Sequence, residues 1–471
     1  MFTIDELIAA SGARLLRGGR GEKIKGISID SRKVLPRQAF VAIKGDNFDG
    51  HDFIEAAVKK GAGCIIKQKD RALPEKIFRR ISKAAVMEVD DTVKALGDIA
   101  CFHRRRFSIP VIAVTGSNGK TTTKEMVSWV LSGRLKVLKN EGTQNNHIGL
   151  PMTLLQLTGR HEAAVLEVGT NHFGEVAYLA DICLATIGVI TNIGPSHLEH
   201  FHDLAGVAQE KYSLIRHLRG PALAVLNADD AALYPKLINP GEGVTSVGFG
   251  MKKASDFTAS RLNYRGGKLR FCVECVSAVS QLKAARKKYA FTLNTLGYYN
   301  VSNALAAITL GRIFGMGYPD ITARLKSFKF PDKRLKLKKV KNITFLDDSY
   351  NANPASLNQA FDALSHCASR GRKICVMGDM LELGRDKELY HTKAGVEAAH
   401  VCDVIVAVGK LSRLAARAAQ KCGFDTKNIF TCDSSCQAKD ILVKEVSPNK
   451  DDIVLIKGSR LMKMEDLLKS F

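Results

Sequence analysis

An apolar, β-branched run halts at a glycine turn and resumes as a lysine followed by three threonines: Val111-Ile112-Ala113-Val114-Thr115-Gly116-Ser117-Asn118-Gly119-Lys120-Thr121-Thr122-Thr123. No other stretch constrains this chain as much. The pattern reads as strand, phosphate loop and helix, which commits the surrounding chain to an α/β fold. Glycines let backbone N–H groups approach an anion, Lys120 adds positive charge, and the Thr121 hydroxyl suits Mg²⁺. Gly116, Ser117, Asn118, Gly119, Lys120, Thr121 and Thr122 are therefore expected to hold a nucleoside triphosphate. Only Ser117 and Asn118 separate the two glycines, a shorter gap than in the common phosphate loop.

At 471 residues the chain exceeds one core, and at about 150 residues per domain it should form three domains. The expected segments are 1–108, 109–331 and 332–471. With 45% hydrophobic and 25% charged residues the composition is that of a globular protein, and no run of about 18 apolar residues predicts a membrane span. The opening Met1-Phe2-Thr3-Ile4-Asp5-Glu6 is acidic where an export signal would be basic, so a cytoplasmic location is expected. Eleven cysteines, an odd number in mostly apolar settings, read as reduced thiols. Cys272-x-x-Cys275 and Cys432-x-x-x-Cys436 have mismatched spacings and no accompanying histidine, so thiols are favoured over a zinc site.

A net charge of +23 raises the question of nucleic acid, with basic clusters at Arg104-Arg105-Arg106, Lys283 to Lys288 and Lys333 to Lys341. These lack interleaved aromatics at their centres, and solvated faces or attraction of a polyanionic small substrate explain them as well. No nucleic-acid partner is expected.

Along the chain, a helix is predicted near Ile4 to Ala10 and a strand over Ala39 to Ile43. Ser31, Arg32 and Lys44 offer a hydroxyl and two cations to a diphosphate, and Asp49-Gly50-His51 makes a tight turn able to contact a sugar or base; all six are also ordinary turn residues. The basic stretch before Pro110 predicts a hinge near Ser108. Runs at Val111 to Val114, Ala163 to Val168, Ala185 to Ile190 and Ala222 to Leu226 alternate with helical patterns, predicting a doubly wound parallel sheet whose strand ends carry the site. Glu167 ends one run and would hold Mg²⁺ through a hard carboxylate oxygen; His197, after another, is a second-metal ligand or an ordinary loop histidine. Phe201 to Leu218 predicts a helix bearing Lys211. An ammonium cannot ligate a metal, so a catalytic Lys211 requires charge reversal, as by carbon dioxide to give a carbamate. Asn300 and Asn303 suit either an adenine edge or a helix cap. Apolar runs ending at Asp347-Asp348-Ser349-Tyr350, Gly378, Gly409 and Gly458 predict a second open α/β sheet.

Together Thr115 to Thr121, Glu167, His197, Lys211, Asn300/Asn303 and Asp347-Asp348-Ser349-Tyr350-Asn351-Ala352-Asn353-Pro354 resemble the Mur ligases, the ATP-dependent amide-forming enzymes of peptidoglycan precursor synthesis. The resemblance runs the whole length. It implies an N-terminal UDP-muramoyl-binding domain, a central ATPase and a C-terminal Rossmann-like domain. Asp30 to Lys33, Asp49 to His51 and Gly378-Asp379-Met380-Leu381-Glu382-Leu383-Gly384 are most similar to the members that take a UDP-N-acetylmuramoyl-tripeptide and D-alanyl-D-alanine as substrates. By that likeness Ser31, Arg32, Lys44, Asp49, Gly50 and His51 face the UDP-sugar, and Thr143, Asn145 and Asn146 lie near the muramoyl-peptide. Lys120, Thr121 and Glu167 would serve ATP and the first Mg²⁺, and His197 and a carbamoylated Lys211 the second. Asn300 and Asn303 would meet adenine, Arg334 the γ-phosphate and Asp348 the ribose, with Tyr350 and Asn353 nearby. A monomer is expected. Lys333 stands where the family usually has glycine, and Gln209-Glu210 precede Lys211 where small or basic residues are usual.

Overall fold

The computed structural model describes residues 1–73, 75, 78, 81, 84–265, 267–276 and 285–469. Three main sheets follow one another along the chain. The first has the order Arg14–Arg17, Ala85–Val89, Cys64–Gln68, Ala39–Val41, Ile27–Ser28, parallel except for its first pair. The second is nine-stranded, and its parallel part runs Val137–Lys139, Ala163–Glu167, Val111–Thr115, Ile187–Ile190, Ala222–Asn227, Val244–Gly250. The third sets Ile343–Asp348, Ile453–Lys457, Lys373–Gly378, Val404–Val408 and Ile429–Cys432 in parallel, with Lys336–Val340 antiparallel at one edge.

The period of two along Val111–Thr115 explains why the middle sheet is covered on both faces. Ile112 and Val114 pack with Met126, Val130, Val301, Leu305 and Ile308 on one side, while Val111 and Ala113 pack with Leu150, Leu154, Leu179 and Leu214 on the other. Each fully buried Val, Leu or Ile side chain contributes roughly 1.5–3 kcal/mol relative to exposure. Helices Lys120–Leu131 and Tyr299–Ile313 form the first layer; Gly149–Leu154, Glu175–Cys183 and Leu204–Arg216 form the second.

Two sequence expectations are corrected. The middle sheet is not purely parallel: Phe257–Arg265, Lys268–Cys275 and Ala285–Leu293 extend it, pairing with one another antiparallel. Buried and more accessible residues alternate along the first two of these strands, as suits a meander with one wet face. The helix predicted over Phe201 to Leu218 breaks at His202, whose φ is 69°, because Asp203 caps a new helix by accepting a hydrogen bond from the Gly206 N–H at 2.8 Å.

Around Ser108, where a hinge is expected, the chain forms a closely packed joint. Helix Thr92–Arg104 packs on Glu175–Cys183 so closely that a Cβ at Gly97 would stand 2.4 Å from the Tyr178 hydroxyl. The buried Arg104 guanidinium donates to the carbonyls of Cys183 at 3.0 Å, Ile109 at 2.8 Å and Phe107. Arg104→Ala should therefore cost about 3 kcal/mol or more, since each buried carbonyl left bare costs about 1–3 kcal/mol. The shift of the urea midpoint measures this, and a change below about 0.5 kcal/mol would show that the joint is held by other contacts.

The basic clusters are largely spent on structure. Arg106 pairs with Glu6 and lies over the rings of Phe2 and Phe102, Lys333 pairs with Glu465, and Lys338 with Asp347. Lys283 lies outside the described residues; farther along that stretch Lys288 pairs with Glu274. All eleven cysteines are free thiols, and no cluster of three metal-ligating side chains occurs among the described residues.

Candidate active site

Successive strands of the middle sheet run from Val111–Thr115 first to one side and then to the other, leaving a crevice at its carboxyl end. The phosphate loop fills that position. Gly116 has φ 141° and a Cβ there would stand 2.0 Å from Thr191 Oγ1; Gly119 has φ 83° and its Cβ would stand 2.5 Å from Asn303 Oδ1. Neither position admits another residue without displacement. The loop is braced from behind: Asn118 N–H donates to Asn192 Oδ1 at 2.9 Å, Ser117 N–H to Asn192 O at 3.0 Å, and Ser117 Oγ to Gly194 O at 2.8 Å. Helix Lys120–Leu131 then begins without a side-chain cap, so its first amides face the crevice ready for an anion.

Lys120 Nζ donates to the loop's own carbonyls, Gly116 O at 2.8 Å and Ser117 O at 3.3 Å. Burial pulls its pKa below the usual lysine value, with Glu167 opposing that shift. Glu167 is buried; its Oε1 accepts from Asn145 Nδ2 at 2.7 Å, while its Oε2 has no hydrogen-bond partner among the described residues. A bare carboxylate oxygen beside Thr121 and Lys120 fits a hard divalent cation such as Mg²⁺. Asn140 holds the Glu167 backbone from both sides, accepting from its N–H at 2.9 Å and donating to its carbonyl at 3.0 Å. The fully buried Lys124, on the phosphate-loop helix, donates to Asn140 O and Gly142 O and so fixes the loop that carries Thr143, Asn145 and Asn146.

The third sheet closes the crevice. Arg334 lies 3.9 Å over the Tyr350 ring and reaches Thr121 Oγ1 at 3.4 Å. Lys333 just before it has φ 60°, the conformation that explains a glycine there, and its ammonium is held by Glu465 at 2.8 Å. Asn353 caps helix Pro354–Ser365 and donates to Asn118 Oδ1 at 2.8 Å. Asp348 is paired with Lys457 and accepts from the Leu335 N–H. His197 Nδ1 lies 2.6 Å from Glu382 Oε2.

A cavity of about 1050 Å³ brings together Ser117, Asn118, Gly119, Lys120, Thr121, Thr122, Thr143, Asn145, Asn146, Glu167, His197, Arg334, Asp348, Tyr350 and Asn353. Of the other predicted residues, Gly116 lies at the base of the loop. Lys211 sits behind the cavity wall: it is buried, makes no hydrogen bond or ion pair among the described residues, and burial, aided by Lys120, lowers its pKa to about 7. Glu210 is turned away from it, accepting from Gly174 N–H, Val176 N–H and Thr170 Oγ1 at the start of helix Glu175–Cys183. Asn300 and Asn303 are also behind the loop. Asn300 donates to Thr295 Oγ1 and Leu296 O, and Asn303 Oδ1 accepts from Thr123 Oγ1.

The N-terminal set does not reach this cavity, whose wall on that side is Asp91, Val93 and Lys94. Ser31 is buried, and Arg32 is paired with Asp30. The backbones of Lys44 and Asp49, next to Gly50, pair as an isolated antiparallel β-bridge, and Asp49 holds His51 Nδ1 at 2.6 Å while His51 Nε2 accepts from the Gln68 N–H. Sequence reasoning did not single out Asn140 or Lys124, and it met Glu382 and Lys457 only inside stretches that carry the resemblance, without a role for either. A lysine on the buried face of a helix was a signal for Lys124; Asn140 offered none.

A phosphate loop and a bare carboxylate on adjacent strands of one sheet, closed over by a second sheet, define a phosphate-loop enzyme. The chain belongs to the Mur ligase family: the models for the family's catalytic domain, middle domain and glutamate ligase domain match residues 23–104, 114–311 and 333–460. It is 34% identical to the UDP-N-acetylmuramoyl-tripeptide–D-alanyl-D-alanine ligase of Bacillus subtilis over 95% of this chain and 93% of that one. Among solved structures it is similar to MurF from Acinetobacter baumannii (TM-score 0.87, 29% identity, 100% of this chain and 98% of that one). It is also similar to the MurF ligase of Thermotoga maritima in complex with ADP (TM-score 0.80, 28% identity, 95% and 96%).

Proposed function

We propose that this chain couples ATP cleavage to joining D-alanyl-D-alanine onto a UDP-N-acetylmuramoyl-tripeptide, in the segments 1–108, 109–331 and 332–471. The observation that carries this reading is the single cavity in which the phosphate loop, the bare Glu167 oxygen and Arg334 converge. Lys120 and the helix amides hold the triphosphate, and Arg334 meets its γ-phosphate. Thr121, Glu167 and His197, with Lys211 if carbamoylated, would hold two Mg²⁺ ions, whose chemistry when bound is to neutralise phosphate charge. The peptide carboxylate attacks the γ-phosphorus, ADP leaves, and the resulting acyl phosphate is displaced by the dipeptide amine to give the amide and phosphate. No protein nucleophile enters; Asn145, Asn146 and Thr143 orient the acid, and the third sheet's loops exclude water.

The nucleotide end of the muramoyl substrate belongs to Ser31, Arg32, Lys44 and Asp49 to His51, while its peptide tail reaches the cavity. Asn300 and Asn303 support adenine from behind the loop, and Asp348, Tyr350 and Asn353 line the ribose side. The reading makes the chain a cytoplasmic monomer; no helix of the described residues is long and apolar enough to cross a membrane.

Phosphate release from ATP should require both the UDP-muramoyl-tripeptide and D-alanyl-D-alanine and be indifferent to DNA or RNA. Turnover driven instead by a folate and glutamate, or by nucleic acid, would overturn the assignment.

A further inference from the structure

His197 and Glu382 are 185 residues apart and belong to different sheets' loops, yet their side chains meet at 2.6 Å. Both residues hold left-handed backbones, φ 51° and 62°, conformations that side-chain-bearing residues adopt only at a cost of about 1 kcal/mol each. The turn at His197 is clasped a second time, where the Glu199 N–H donates to Glu382 O at 3.3 Å. Gly384, at φ 61°, comes so close that a Cβ there would lie 3.3 Å from Leu198 O.

The loop that presents Glu382 is also fixed from its own side. Met380 N–H donates to His391 Nε2 at 2.9 Å, Leu381 N–H to Ser459 Oγ at 2.8 Å, and Ser459 N–H to Asp379 O at 3.1 Å. Leu383 is buried in the core of the third sheet. The carboxylate is therefore placed by the third segment, while the imidazole it meets is placed by the second.

A carboxylate is only an acceptor, so the hydrogen at this contact sits on Nδ1 and the Nε2 lone pair is left for a cation. We propose that Glu382 is a positioning residue that fixes His197 in the Nδ1–H tautomer, making the ring a cation ligand through Nε2 only while the third segment is docked. This rests on the ligase reading for the role of the cation, and it gives that reading an order of events. The second cation site is completed by docking, so the acyl phosphate forms after the crevice has closed against water.

The test begins on metal-free protein. With histidine ¹⁵N-labelled and the ring neutral, two-bond ¹⁵N–¹H spectra assign the His197 tautomer. Wild type should show Nδ1–H. Glu382→Ala should move it toward Nε2–H, and Glu382→Gln, whose amide oxygen can accept the same bond, should retain Nδ1–H. Glu382 is partly exposed, so neither change threatens the core. In a second measurement, Mn²⁺ titrated with a non-hydrolysable ATP analogue should bind about tenfold more weakly to Glu382→Ala, and Glu382→Gln should recover most of the loss. An Nε2–H ring in wild type, or an alanine variant unchanged in both tautomer and Mn²⁺ affinity, overturns the proposal. Wild type that forms the amide yet carries Nε2–H refutes this inference alone, whereas wild type that forms no amide refutes the ligase reading.

Discussion

Lys120→Ala should lower kcat by at least about a thousandfold, equivalent to about 4 kcal/mol of lost transition-state stabilisation, with an unchanged circular dichroism spectrum. The two halves of that expectation have separate causes. The ammonium is the cation the loop itself carries among the amides that would receive the triphosphate, and charge builds on those phosphates as the γ-phosphoryl group transfers. Its hydrogen bonds in the resting protein go only to Gly116 and Ser117 of its own turn, so its loss breaks no tie between sheets. The shape of the loop rests instead on Asn192, Thr191 and Gly194. Steady-state phosphate release measures the effect, and turnover within about tenfold of wild type would remove the phosphate loop from the mechanism.

Lys211→Ala should cost about a hundredfold in kcat and be partly rescued by a short carboxylic acid, because the missing group is an anion that the acid replaces. Burial brings this lysine's pKa to about 7, so above that pH its amine is neutral and able to add carbon dioxide, releasing a proton as the carbamate forms. The dependence of wild-type activity on carbon dioxide should therefore weaken as pH falls through 7, and the rescued variant should lack that limb. The same shift sets a stability slope. An unfolded lysine titrates near 10.4, so between roughly pH 7 and 10 the unfolded chain binds a proton that the folded chain does not, and stability rises with pH. In carbon-dioxide-free buffer Lys211→Met should thus be more stable than wild type at pH 7 by a few kcal/mol, on the order expected for an unpaired buried ammonium. An inactive alanine variant that no acid rescues, together with a methionine variant that is no more stable, would assign Lys211 a structural part.

What the sequence made readable was local. Val111 to Thr123 specifies strand, loop and helix through neighbouring residues, and Glu167 follows from its place at a strand end. Contacts that depend on distant chain were not readable. Glu382 faces His197, and Lys457 pairs with Asp348, across more than a hundred residues; no spacing rule links them. Asn300 and Asn303 show the limit from the other side: the motif marks their importance, but only packing shows their amides committed to Thr295, Leu296 and Thr123. The antiparallel extension was a different omission. The alternation along Phe257–Arg265 and Lys268–Cys275 is present in the sequence, and the parallel-sheet expectation passes over it. Lys333 was legible as a departure from glycine, and its left-handed backbone with Glu465 holding its far end shows how a larger residue is accommodated.

The contact of Lys120 with two carbonyls of its own turn has a kinetic corollary. A half-buried cation with no counter-dipole would be costly to maintain between catalytic cycles. Here the peptide groups at Gly116 and Ser117 act as a resident surrogate for phosphate oxygens, so an arriving nucleotide swaps one set of oxygens for another and a departing one hands the charge back.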